Sequence, residues 1–329
     1  MKNEYYFVYC KGILGVKTNI HDFKWVYGSV APSASPEEYE KCIIKFDVCV
    51  KPESKLSEIA RCDKKFQSFS WNDADNTLSY RRSILSRLSI GYNIGLDGDT
   101  VRAEIGKRYL KLVKHRTMNL HSAYYLLSDL ANIMLLRRGF LTLYASGVHH
   151  STDQRGILCF APPNTGKTVT VTKLCGQPEY SLVGEDIIIT DGNSLFACPW
   201  TSSYRRKPSA LDSAGALGRV NGAGKHRACE SCRVTDLAVL SLGEAAESED
   251  RDELLHRICM LNGYLFNYYS SPVVKVLGYF DSNYRLPWSD MALTMLRDMT
   301  AACRCRGIQC ASPLDFWQRI DKDASGEKS

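Results

Sequence analysis

Between Phe160 and Val169 the chain reads Ala161-Pro162-Pro163-Asn164-Thr165-Gly166-Lys167-Thr168. The Gly-Lys-Thr ending and the spacing before it follow the relaxed Walker A pattern, with Ala161 where the first glycine usually stands. Each part of such a loop has a physical task. Backbone N–H groups of residues 161–168 and of the helix they open would point at phosphate oxygens. Gly166 permits close backbone approach, Lys167 reaches the β- and γ-phosphates, and the Thr168 hydroxyl can ligate Mg²⁺. The ligand implied is ATP with magnesium.

A second cluster follows about a helix's length later, in Leu182-Val-Gly-Glu185-Asp186-Ile-Ile-Ile-Thr190. Two adjacent carboxylates interrupt an apolar run. Carboxylates beside a buried strand are costly unless something positive meets them, and Mg²⁺ on a nucleotide would do so. Left to itself, the same pair reads as a solvated turn between strands.

The elements that must hold these residues are legible in outline. Gly156–Phe160 is a buried strand of the kind a phosphate loop follows, although Val169-Thr-Val-Thr172 is a poor helix former. Leu141–Val148 reads as one strand and Val234–Leu242 as another. Helices follow, one with Leu254, Ile258, Leu261 and Leu265 on a face and one starting at Ser289-Asp290. Upstream, residues 1–118 look β-rich. Tyr5–Tyr9, Cys42–Val50 and Val101–Ile105 carry period-two patterns, with turns at Asn76 and Asp97-Gly98-Asp99, which predicts half-buried antiparallel strands. The character changes near Asn119, where residues 121–138 place Leu126, Leu127, Leu130, Ile133 and Met134 at helical spacing before Gly139 as a C-cap. Two domains result, 1–118 and 119–329, with a short polar tail at 321–329.

Composition narrows the function classes. The 329 residues are 44% hydrophobic and 24% charged, enough for a sizeable core. The net charge of +6 is spread along the chain, which fits an anionic small ligand and gives no reason to expect nucleic acid. No apolar window spans a membrane and no secretory h-region opens the chain, so a cytoplasmic protein with reduced thiols is expected. Of the 13 cysteines, Cys229-Glu-Ser-Cys232 could join Cys303, Cys305 and Cys310 around zinc. The second pair lacks matching spacing, and unrelated thiols are the favoured reading.

Taken together, Ser146-Gly147-Val148, a strand, the 161–168 loop, a helix and the Glu185-Asp186 pair resemble the HPr kinase/phosphorylase group, a P-loop branch related in fold to phosphoenolpyruvate carboxykinase. The resemblance covers residues 139–200, extends more thinly to 245, and over the first 118 residues rests on architecture alone. The family's acidic pair is Asp-Asp, here Glu185-Asp186. Its histidine before Gly-Val is here Ser146, with His149 and His150 just beyond. Gly222-Ala-Gly224-Lys-His-Arg227 is similar to a Gly-Ala-Gly-x-x-Arg segment of the group.

The resemblance implies an α/β P-loop kinase domain of HPr kinase type behind a β-rich N-terminal domain. It implies an ATP-dependent phosphotransferase acting on a hydroxyl, most simply serine of a protein or peptide. Lys167 would hold the phosphates, Thr168 and Asp186 the Mg²⁺, Glu185 would accept the hydroxyl proton, and Arg227 would neutralise the transferring group, with Arg205-Arg206-Lys207 as a rival source of charge. A small-metabolite kinase and a non-catalytic ATP-dependent switch are the alternatives, and a homo-oligomer is compatible with either. A pure sensor needs the metal acid but no base, so the acidic pair discriminates between the classes.

Overall fold

The computed structural model describes residues 4–28, 34–58, 61–85, 88–113, 122–198, 227–265, 271–285 and 287–324. Arg205, Arg206, Lys207 and the Gly-Ala-Gly segment at 222–224 lie outside them. The chain is mixed α/β and forms two compact units, one of residues 1–139 with 266–292, the other of 140–265 with 293–329.

In the first unit the period-two segments become β1 (Tyr5–Tyr9), β2 (Leu14–Thr18), β3 (Ile44–Lys51), β4 (Lys64–Phe66), β5 (Phe69–Asn72), β6 (Thr77–Leu85), β7 (Leu88–Asp97) and β8 (Thr100–Gly106). They form one eight-stranded sheet in the order β1-β2-β3-β8-β7-β6-β5-β4. The sheet is not purely antiparallel as expected: β2 and β3 run parallel, as do β3 and β8. The reason is connectivity. A crossover carrying α1 (Pro36–Glu40) separates β2 from β3, and the β4–β7 meander returns β8 beside β3 in the same direction. Ile44, Phe46 and Val48 are buried while Lys45, Asp47 and Cys49 are half-exposed, so the alternation itself holds.

After the short α2 (Lys107–Leu112), α3 (Ala123–Arg137) is buried on almost every side. Ser122 caps its start by accepting from the Tyr125 N–H, and Gly139 follows its end in the left-handed region, φ 75°. Asn132, in mid-helix, accepts a 2.6 Å hydrogen bond from the Tyr27 hydroxyl. This helix, expected to open the second domain, belongs to the first unit, and the units part at 139/140 rather than at 118/119. A surface helix shows one apolar stripe. A helix apolar nearly all round belongs inside a core.

The second unit contains β9 (Leu141–Tyr144), β10 (Ser146–His150), β11 (Arg155–Phe160), α4 (Lys167–Leu174), β12 (Tyr180–Gly184), β13 (Ile187–Thr190), β14 (Ser194–Ala197), β15 (Ser231–Leu242), β16 (Ala246–Ser248) and α5 (Arg251–Leu265). After α6 (Pro272–Phe280), which lies in the first unit, come α7 (Trp288–Ala302), β17 (Arg304–Cys310) and α8 (Phe316–Ala324). The strand expected over 141–148 is thus two, broken at Ala145. The strands β12-β10-β11-β15-β14-β13-β9 are joined in that order, with β17 on β15 and β16 on β17. β15 divides its length between partners: Ser231–Arg233 pair with β14, whereas Val234–Leu242 pair in parallel with β11 and β17. Arg155 of β11 and Asp236 of β15 form a bidentate, mostly buried ion pair at 3.0 and 2.6 Å beside that junction.

One face of the β11–β15–β17 ladder is covered by α4 and α8. Val171 and Leu174 of α4 meet Phe316 and Ile320 of α8 over Cys159 and Leu240. The polar tail expected from 321 is helical through Ala324, and Asp321 accepts hydrogen bonds from the Tyr180 hydroxyl (3.1 Å) and Gln177 Nε2 (3.3 Å). Phe316→Ala should cost roughly 3–5 kcal/mol, the usual loss for emptying a buried aromatic site. The exposed Gln318→Ala on the same helix should change stability by less than about 0.5 kcal/mol. Urea unfolding of both variants checks the contrast.

Candidate functional site

The chain leaves β11 at the buried Ala161, exposes Pro162, Pro163 and Asn164, and re-enters at Gly166 to start α4. The reversal uses two left-handed residues, Asn164 at φ 63° and Gly166 at φ 116°. Asparagine tolerates the first. The second is glycine's territory, and a Cβ there would also stand 2.6 Å from Cβ of Pro313, which lies between β17 and α8. The first-turn amides of α4 have no acceptor within the helix. The β-branched run becomes helical because Val171 is buried in the core and the Thr170 hydroxyl bonds back to the Gly166 carbonyl at 3.0 Å.

Lys167 is the unusual residue. Only 5% of it is exposed. Its Nζ donates to the Ala161 carbonyl at 2.7 Å and lies 4.2 Å from the centroid of the Tyr144 ring. Burial lowers its pKa, and the charge of Asp186 works the other way. The backbone that carries this ring is held by Asn262 of α5, whose side chain accepts from the Tyr144 N–H at 2.8 Å and donates to the Thr142 carbonyl at 3.2 Å.

Glu185 and Asp186 form the bend between β12 and β13, a turn between strands as the second reading of the pair has it, although both are half-buried. The bend is where the chain passes from one part of the sheet to another: β12 pairs with β10, β13 with β9 and β14. The Ser146 hydroxyl of β10 donates to the Glu185 carbonyl and holds the bend. Gly147 beside it has no room for a side chain, since a Cβ would fall 2.5 Å from Cδ1 of Ile188. Burial, and after it the neighbouring Asp186, pushes the Glu185 carboxyl up to about 7. Its charge is felt by the buried Cys175 thiol at the C-terminal end of α4, whereas that of Asp186 is felt by Lys167 at the start.

The structure therefore gathers the 161–168 loop, Lys167 and the acidic bend along α4, with the Thr168 side chain exposed. It does not bring Arg227 to the loop. That guanidinium is exposed and reaches the Pro178 carbonyl at 3.4 Å, past the C-terminal end of α4. Cys303 and Cys305, weighed as zinc ligands, are buried thiols with backbone partners. The Cys303 thiol reaches the Val234 carbonyl at 3.8 Å and Cys305 the Thr300 carbonyl at 3.3 Å. Among the described residues no group of three or more His, Cys, Asp or Glu is placed to hold a metal ion. No described helix is long and apolar enough to cross a membrane. Tyr144, Asn262 and Pro313 were not singled out by sequence; only Tyr144, just ahead of Ser146-Gly147-Val148, lies near a motif. No protein-family model matches the chain, and no curated protein matches it.

The raised pKa of Glu185 has a thermodynamic consequence. Between the ordinary carboxyl value of 4.5 and about 7, the folded state binds the proton that the unfolded state has released. The contribution of this group to stability is full below that window and is lost as pH rises through it. In Glu185→Gln that loss should vanish, so the stability difference between variant and wild type should grow in the variant's favour from pH 4.5 to 7 and then level off. Denaturant unfolding across that range measures it.

Proposed function

We propose that the chain is an ATP-dependent phosphotransferase, with a hydroxyl, most simply serine of a protein or peptide, as acceptor. The observation that carries this reading is Lys167. A protein that withdraws an ammonium from water at the first residue of a helix, against a carbonyl, a ring face and the field of Asp186, forgoes several kcal/mol of hydration. A triphosphate at the loop would supply the missing negative charge, with the first-turn amides of α4 as further donors.

The remaining residues have tasks that fit. Lys167 would exchange the Ala161 carbonyl for phosphate oxygens. The Thr168 hydroxyl and the Asp186 carboxylate are hard oxygen donors suited to Mg²⁺, which when bound would neutralise charge between the phosphoryl groups. Glu185, titrating near 7, is poised to accept a hydroxyl proton at neutral pH. Phosphoryl transfer asks little covalent work of a protein, so positioning and charge carry the rate. Arg227 is not included, because its guanidinium is turned to Pro178.

Three variants test the reading. Lys167→Ala should retain its circular dichroism spectrum while losing transfer and binding nucleotide more weakly. Glu185→Gln should bind ATP-Mg about normally yet transfer on the order of a hundredfold more slowly. Asp186→Asn should raise the Mg²⁺ requirement, because an anionic ligand has become neutral. Nucleotide affinity, and label transfer from γ-labelled ATP into host lysate, should be followed across a Mg²⁺ titration. Wild-type transfer should rise with pH through about 7. Undiminished transfer by folded Lys167→Ala would remove the loop assignment. If wild type transfers to no acceptor while a partner's binding still follows ATP, the protein is a nucleotide-dependent switch.

A further inference from the structure

Away from the loop, two cysteines meet where β12 gains an additional neighbour. Residues 227–229 pair with β12: the Leu182 N–H donates to the Arg227 carbonyl and the Cys229 N–H to the Leu182 carbonyl, both at 2.8 Å. The chain then turns through Glu230 and enters β15, whose second residue is Cys232. The Cys229 thiol donates to the Ser231 carbonyl at 3.2 Å, the two thiols influence each other's ionisation, and both side chains are half-exposed. Cys232 occupies the space over Gly156, where a Cβ would stand 2.9 Å from its sulfur.

The surroundings favour one thiol as a nucleophile. His149 of β10 and Ser181 of β12 are direct cross-strand partners. The Ser181 hydroxyl donates to the His149 carbonyl at 3.4 Å, and His149 also pairs with Gly156, the residue beneath Cys232. The neighbouring Cys232 is the largest influence holding the Cys229 thiol below its ordinary range, with His149 and Ser181 acting the same way, while Cys229 holds Cys232 above it. Of the other cysteines, Cys10, Cys42, Cys159, Cys175, Cys198, Cys303, Cys305 and Cys310 are buried, Cys62 is exposed, and Cys49 and Cys259 are half-exposed. Burial raises the thiols of Cys42, Cys159, Cys175 and Cys303.

We infer that Cys229 and Cys232 form a redox-active dithiol, with Cys229 as the attacking sulfur and Cys232 as the resolving one, and that the oxidant is a low-molecular-weight disulfide. The Cys229 thiolate attacks one sulfur of the small disulfide, whose S–S bond breaks and whose other half leaves as a thiolate. Cys232 then attacks Cys229 Sγ, gives up its proton and expels the second half. The chain loses two electrons and two protons, and two small thiols are released. The inference is independent of the proposed phosphotransfer.

The test is equilibration of the whole protein in oxidised and reduced glutathione, trapping of remaining thiols with N-ethylmaleimide, and peptide mass spectrometry. In wild type, Cys229 and Cys232 should escape the label as one internal disulfide without attached glutathione, at a poise where the buried cysteines still label after denaturation. In Cys232→Ser the mixed disulfide should accumulate at Cys229. In Cys229→Ser, Cys232 should stay labelled. Circular dichroism of both variants verifies that they fold. The inference is overturned if wild-type Cys229 and Cys232 both take the label while exposed Cys62 already carries glutathione. It is equally overturned if Cys229 pairs with a cysteine other than Cys232.

Discussion

The withdrawal of the Lys167 ammonium from water is the constraint around which the second unit is arranged. A cation in that position needs partners, and three are supplied from different parts of the chain: the Ala161 carbonyl, the Tyr144 ring face and the field of Asp186. Each needs support of its own. Tyr144 is pinned by Asn262, the loop turns at a glycine seated under Pro313, and the acidic bend is tied to β10 through Ser146. A desolvated ammonium over an aromatic face gains about 2 kcal/mol, less than the cost of its dehydration. The surrounding core must hold it in place, and Val171, Leu174, Phe316 and Ile320 form that core.

The two carboxylates of the bend solve a related problem differently. Neighbouring half-buried acids cannot both ionise cheaply, so the burden falls on one, and Glu185 keeps its proton to near neutrality. The charge of Glu185 acts on Cys175 at one end of α4 and that of Asp186 on Lys167 at the other. Beside the bend, the space left by the missing side chain of Gly147 is filled by the end of the Ile188 side chain.

Much of this was legible in the sequence wherever short-range pattern decides structure. The β11–loop–α4 unit, the helices at 251 and 288, and most N-terminal strands follow from periodicity, and the left-handed Gly139 from its place after a helix. What was not legible depends on partners distant in sequence. The parallel pairings of β3 follow from chain crossovers, not from alternation. α3 shows helical spacing whether it opens one unit or closes another, and the hydrogen bond that reveals its place joins Asn132 to Tyr27. Sequence pattern assigns β17 no element, and it is defined by its pairing with β15 and β16. Within the site, Lys167 and the acids were found by residue type. Tyr144, Asn262 and Pro313 were not, because an aromatic floor, an amide brace and a proline seat have no spacing rule. Arg227 shows the opposite failure, where a local motif matched and the fold turned the side chain elsewhere.

The order in which these parts leave the ribosome is set by the same architecture. The loop and α4 emerge early, yet the surfaces that cover them, β17 and α8, are specified only at residues 304–324. Until then β15 presents an unpaired parallel edge and α4 an open apolar flank, the features that invite mispairing and chaperone capture in a nascent chain. Closure of the second unit thus waits for residues 304–324. Its folding rate is governed by a late, long-range docking event, and slowing of translation before residue 304 would lengthen the life of the exposed intermediate.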